Sequence, residues 1–180
     1  MTMPRHGIWA SVIGNKIYIP GGGTGASAIN PTNTNQIFSV TDLGSTRLGN
    51  ISTRSFVQTG ENVMIGGFIV QGTGPKRVII RAIGPELTQY GISNALGNPT
   101  LELHNRAGAV IASNDNWQTT ILGGIITSSQ VSDIQNSGHA PTAASESAII
   151  ANLQPGNYTA VVRGVNSTTG VGLVEVYDLN

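Results

Sequence analysis

Asn114-Asp115-Asn116-Trp117 is the densest patch of chemistry-capable side chains in this chain of 180 residues. Consecutive Asx side chains offer hard oxygen ligands of the kind that hold Ca²⁺. On that reading Asp115 and Asn114 are the metal ligands, and Asn114, Asn116 and Trp117 face a bound molecule. Asp115 is a single carboxylate, however, and the acids nearest in sequence are Asp133 and Glu146. Asx residues at turns mostly hydrogen-bond their own backbone, so turn chemistry is the simpler reading. The Trp117 ring could stack on a sugar. The plainer alternative is a lid over an apolar core.

Arg81, Arg163 and Glu175 form the second set. Each interrupts an otherwise apolar run, and a charge persists in such a place when it is paired. A structural ion pair from Glu175 to Arg81 or Arg163 is expected. His6, His104 and His139 are scattered, without H-x-H or H-E-x-x-H spacing. A Ser-His-Asp set can be written on paper from His139, Asp133 and one of many serines. No G-x-S-x-G elbow supports it. Gly72-Thr73-Gly74-Pro75-Lys76 lacks the P-loop pattern and precedes an apolar run of strand type, so it reads as a turn. No cysteine is present, which excludes disulfides, thiolate metal sites and a Cys nucleophile. The sequence assigns no catalytic residue.

The elements that must position these residues are strands. Apolar residues are 39% and charged residues 10%, with 24 glycines. Such a composition belongs to a turn-rich β protein. Nine basic and nine acidic residues cancel, which gives no argument for nucleic acid. No apolar run approaches a membrane-spanning length. The strongest stretch is 62–85, with β-branched runs at 63–70 and 78–83 around the Gly-Pro turn. It reads as a hairpin at the centre of a β-sandwich. Residues 8–13 and 16–19 read as a hairpin around Gly14-Asn15, 36–40 as one further strand, and 43–50 as a linker. Short strands follow at 55–57, 100–104, where Leu101 and Leu103 alternate inward, and 109–112. The last three are 147–153, 157–163 and 172–178. Helices are expected at 85–91 and at 131–136, the latter capped by Ser132.

Three resemblances follow from these stretches. The run A-S-V-I-G-N-K-I-Y-I-P-G-G-G at 10–23 resembles the inner strands of a Kelch propeller blade. One such unit cannot close a propeller, so residues 1–49 read as a Kelch-like remnant with a linker. On this reading Met1 is a cut into a longer exported protein whose signal peptide lies upstream. The stretch S-T-R-S-F-V at 52–57, continued by 60–87, is similar to a repeated C-terminal module of large secreted bacterial proteins of Verrucomicrobia type. L-Q-P-G-N-Y-T-A-V-V-R-G at 153–164 resembles the bacterial pre-peptidase C-terminal domain. That likeness implies a jelly-roll-like antiparallel β-sandwich over 50–180 and a secreted, non-catalytic accessory role. It also implies contact with a glycan or cell surface, with Ca²⁺ in some members. Two alternatives remain: a structural protomer that forms homo-oligomers by strand addition through the N-terminal hairpin, and a metal-dependent hydrolase.

Overall fold

The computed structural model describes residues 10–13, 16–22, 24, 31–33, 35–39 and 49–180. The chain divides into two compact units, Met1–Arg47 and Leu48–Asn180. His6, Trp9, the Gly14-Asn15 turn and all but the end of the expected linker lie outside the described residues.

In the first unit, strands β1 (Ser11–Ile13), β2 (Lys16–Pro20) and β3 (Asn35–Ser39) form an antiparallel sheet in that order. The expected hairpin is there, and the further strand expected at 36–40 joins its second edge as β3. Ile17 of β2 pairs with Val12 on one side and Phe38 on the other. Two strands are marginal in water, and the third satisfies the free edge of β2.

The second unit is a sandwich of two four-stranded sheets. One has the order β4-β11-β6-β9, the other β5-β10-β7-β8. Its strands are β4 (Asn50–Val57), β5 (Met64–Val70), β6 (Lys76–Ile83), β7 (Pro99–His104), β8 (Val110–Asp115), β9 (Ser147–Leu153), β10 (Gly156–Gly164) and β11 (Gly170–Asp178). Every strand pairing is antiparallel. Only the β7–β8 connection stays within a sheet, and the others cross between sheets. Eight strands in this order make a jelly roll. Alternation drives it. Leu101 and Leu103 of β7, Ala160 and Val162 of β10, and Val78 and Ile80 of β6 all turn into the shared core. The sheets approach closely where β5 passes β11: a Cβ on Gly66 would lie 2.9 Å from Val174 Cγ1.

The 62–85 hairpin is a correction. β5 pairs only with β10, whereas β6 pairs with β11 and β9. The two runs face each other across the core, and the Gly72–Pro75 stretch is an arch between sheets. Burial shows why: β6 is covered on both faces, whereas Ile65 and Ile69 of β5 point to solvent. A strand buried on both faces belongs inside a sheet, and one that alternates suits an edge. β4 begins at Asn50, well before the strand expected at 55–57.

Pro85–Tyr90 forms a 3₁₀-helix that ends at Gly91 with φ +83°. Helix α1 (Val131–Asn136) has Gln130 at its N-cap, so the expected Ser132 cap is also corrected; Ser132 lies inside the helix. The excursion 116–146 carries α1 over the outer face of β6 and β9. Trp117 and Ile134 there pack on Ile79, Ala148 and Ile150.

Candidate functional site

The excursion covers only half of that outer face. Among the described residues the half over β4 and β11 stays open except where His139 stacks on Tyr177, and register decides what it presents. Glu175 of β11 lies opposite Arg81 of β6 and Ser52 of β4, while Leu173 lies opposite Ile83 and Arg54. Paired residues share a face. The 3₁₀-helix supplies a rim with Glu86, Leu87 and Tyr90. The result is a groove of about 590 Å³.

Its floor is a connected polar network. Arg81 Nε donates to Glu175 Oε2 at 3.0 Å, and Arg81 Nη2 donates to the same oxygen. Arg81 Nη1 donates to the His139 carbonyl at 3.0 Å. The guanidinium lies 5.2 Å from the centre of the Tyr177 ring, a cation–π distance. The Tyr177 hydroxyl donates to Glu175 Oε1 at 3.0 Å. The His139 ring stacks on Tyr177 with centroids 4.1 Å apart. Burial, and then the Glu175 charge, push the Tyr177 hydroxyl above its ordinary pKa, against the opposing pull of Arg81. At the rim, Glu86 Oε2 accepts the Thr142 hydroxyl at 3.0 Å.

Two groups of the groove remain uncommitted. Tyr90 is 69% exposed. Arg54 is exposed and has no ion pair among the described residues. An engaged network beside a free aromatic ring and a free guanidinium is equipped for recognition. Protein donors hold both oxygens of Glu175, and Thr142 holds Oε2 of Glu86.

Of the residues singled out from sequence, the structure brings Arg81 and Glu175 together. Arg163 stands apart, exposed on β10 in the other sheet. His104 faces Glu102 at 3.1 Å and the Gly108 carbonyl at 3.0 Å.

The Asn114–Trp117 patch requires correction as a ligand or metal site. Asn114 is buried, and its side chain is used at both ends. Oδ1 accepts the Ala148 N–H at 3.1 Å, and Nδ2 donates to the Thr119 carbonyl at 3.0 Å. Asn116 takes φ +68° and makes the turn, and Asp115 ends β8 half-buried. Trp117 is 5% exposed, with Nε1 donating to the Ala143 carbonyl at 3.1 Å. Its ring is core, with no face left for a sugar. Among the described residues no group of three or more His, Asp or Glu side chains is placed to hold a metal.

Glu146 had no assigned role in the sequence. It is 0% exposed. Oε1 accepts the N–H groups of Gly84 and Glu86 at 2.9 and 2.8 Å, and Oε2 accepts that of Ala143 at 3.2 Å. It anchors the start of the 3₁₀-helix that carries Tyr90 and Glu86. Burial pushes its pKa up, while the three N–H donors act the other way. A lone Glu before a strand carries no signal of this, because all its partners are backbone.

No helix among the described residues is long and apolar enough to cross a membrane. No family model matches the chain, and no curated protein does. Among solved structures, the chain is similar to a 1.0 Å crystal structure of the pre-peptidase C-terminal domain of collagenase from Bacillus anthracis. The identity is 16%, the match covers 71% of this chain and 88% of that one, and the TM-score is 0.41.

Proposed function

We propose that the second unit is a non-catalytic accessory module of an exported protein, and that it attaches to glycans through the groove beside Tyr90. One observation carries this reading: an open Tyr90 ring stands beside the free Arg54 and the fixed Arg81–Glu175–Tyr177 floor. An aromatic face stacks on the apolar side of a sugar ring. Fixed charged groups are strong partners for hydroxyls or acidic substituents. The binding role first assigned to Trp117 thus passes to an aromatic that solvent can reach.

The test is a glycan array probed with the full chain, followed by calorimetry on any hit. A Tyr90→Ala variant should then weaken binding roughly tenfold, the scale of one lost stacking contact. An array silent to neutral and acidic glycans alike would remove the reading.

A second reading rests on the N-terminal sheet. Ile13 of β1 and Ile37 and Phe38 of β3 are exposed on its two edge strands. Apolar edges favour strand addition between copies, which would make the protein an assembling protomer. Sedimentation of the full chain against one starting at Leu48 separates the two; each chain sedimenting at its own monomer mass would exclude assembly through this sheet.

A further inference from the structure

A jelly roll has four edge strands, and this one treats them unequally. β8 and β9 lie at one side of the sandwich, β4 and β5 at the other. The first side is closed. Gln130 Oε1 accepts the Ile150 N–H at 3.1 Å, and Gln130 Nε2 donates to the Ile150 carbonyl, so one side-chain amide stands in for a neighbouring strand on β9. Asn114 reaches from β8 to the Ala148 N–H of β9. The loop after Ile121 lies along β8, with the Ile125 N–H donating to the Ile111 carbonyl at 2.8 Å.

Among the described residues the opposite side has no such device. β4 runs eight residues, pairs only with β11, and has one buried residue, Val57. Alternate residues of an edge strand turn their N–H and C=O groups outward. No side chain or loop among the described residues bonds to them. The usual guards are missing as well: β4 has no proline, no register shift against β11 and a single charge, Arg54. Ile51 and Phe56 are both about half exposed, at 47% and 46%, on opposite faces. β5 interrupts its own edge with Gly66-Gly67, which makes β4 the better template.

We propose that β4 is a strand-addition site for an extended peptide segment of a partner protein that carries an acidic residue opposite Arg54. Backbone pairing would supply the affinity, and alternate side chains would supply the selectivity. Charge favours such a partner over a second copy. Self-pairing of β4 centred on Arg54 sets two guanidinium groups directly opposite, and centring it on Thr53 leaves them diagonal neighbours on one face. Like charges opposite one another destabilise a strand pair, whereas an opposite charge stabilises it. An apolar residue two positions from the acid would cover Phe56, which shares the outer face with Arg54.

The probe is a fluorescent, end-capped peptide, Thr-Val-Thr-Glu-Thr-Val-Thr, titrated into the full chain and followed by anisotropy. Saturable binding is expected. The same peptide with Lys in place of Glu should bind about fivefold weaker, the scale of one exposed charge pair. A version N-methylated at alternate residues, which lacks the donors of one edge, should not bind. Arg54→Glu should invert the preference between the Glu and Lys peptides. Hydrogen exchange should show the outward-facing β4 amides, those not bonded to β11, unprotected in the free chain and slowed in the complex. Three results would overturn the proposal: no saturation at millimolar peptide, equal binding of the methylated peptide, or outward-facing β4 amides already protected in the free chain. The last would mean that the chain itself or a second copy fills the edge. The probe contains no sugar, so its failure leaves the groove reading untouched.

Discussion

Glu146 holds three backbone N–H groups together in a place water does not reach. Each of those donors would be costly to leave unpaired. Replacing Glu146 by Gln keeps one oxygen for Gly84 and Glu86 but turns an NH₂ toward the Ala143 N–H. A loss of about 1–3 kcal/mol is expected. The pH dependence discriminates further. Below about pH 4.5 the carboxyl is neutral in both the folded and the unfolded chain. Above that value the unfolded chain releases the proton, whereas the folded one keeps it until its raised pKa is reached. The contribution from this group is therefore fully present below pH 4.5 and is lost as pH rises through the folded-state pKa. Glutamine cannot ionise, so its stability curve lacks this fall. Urea unfolding of both proteins across pH 4 to 8 should show the wild-type advantage shrinking as pH rises. A constant difference would mean that the Glu146 carboxyl has the same pKa in the folded and the unfolded chain. The sequence offers a view of Arg81 and Glu175, because charges inside apolar strands stand out, but none of Glu146, whose partners have no side-chain identity.

Strand edges are where individual side chains decide the behaviour of whole elements. Gln130 closes β9, so Gln130→Ala strips the Ile150 N–H and carbonyl of their partner. A cost of about 1–3 kcal/mol is expected. Faster hydrogen exchange at Ile150 and a greater tendency to aggregate should accompany it, because an opened edge is a pairing template. Unchanged exchange at Ile150 would mean that the edge is guarded by something else. Element type was largely legible in the sequence. β7, β9 and α1 follow from period and punctuation, and α1 spans the residues expected. Pairing was less legible. Two apolar runs around Gly72-Thr73-Gly74-Pro75 look the same whether they form a hairpin or an arch, because a turn signal fixes reversal and not the sheet that the chain returns to. The difference lies in faces: Arg81 on β6 needs Glu175 of β11 beside it, and that neighbour is 94 residues away. The groove was hidden for the same reason. Arg54, Tyr90 and Tyr177 come from three distant stretches, and only the register of β11 against β4 and β6 brings them onto one surface.

The two units differ in how each can be stable. Leu48–Asn180 buries a continuous core between its sheets and a second cluster under the 116–146 excursion. In the first unit, the described residues other than Val12 are all exposed or half-buried, and the described strands are three to five residues long. A segment of that size normally needs a disulfide, a metal or a partner surface to stay folded. The chain has no cysteine to make the disulfide. The jelly roll should therefore carry nearly all of the cooperative unfolding. A chain starting at Leu48 should keep the main thermal transition, with its midpoint within about 4 °C of the full chain, the shift that corresponds to less than roughly 1 kcal/mol in a domain of this size. The N-terminal sheet should melt earlier and with little cooperativity in the full chain. A main transition that falls much further on removing the N-terminal unit would show that the two units stabilise one another. In that event β4, the first strand after the junction, is the element whose amide protection should fall with it, and the strand-addition proposal would meet the same measurement from the other side.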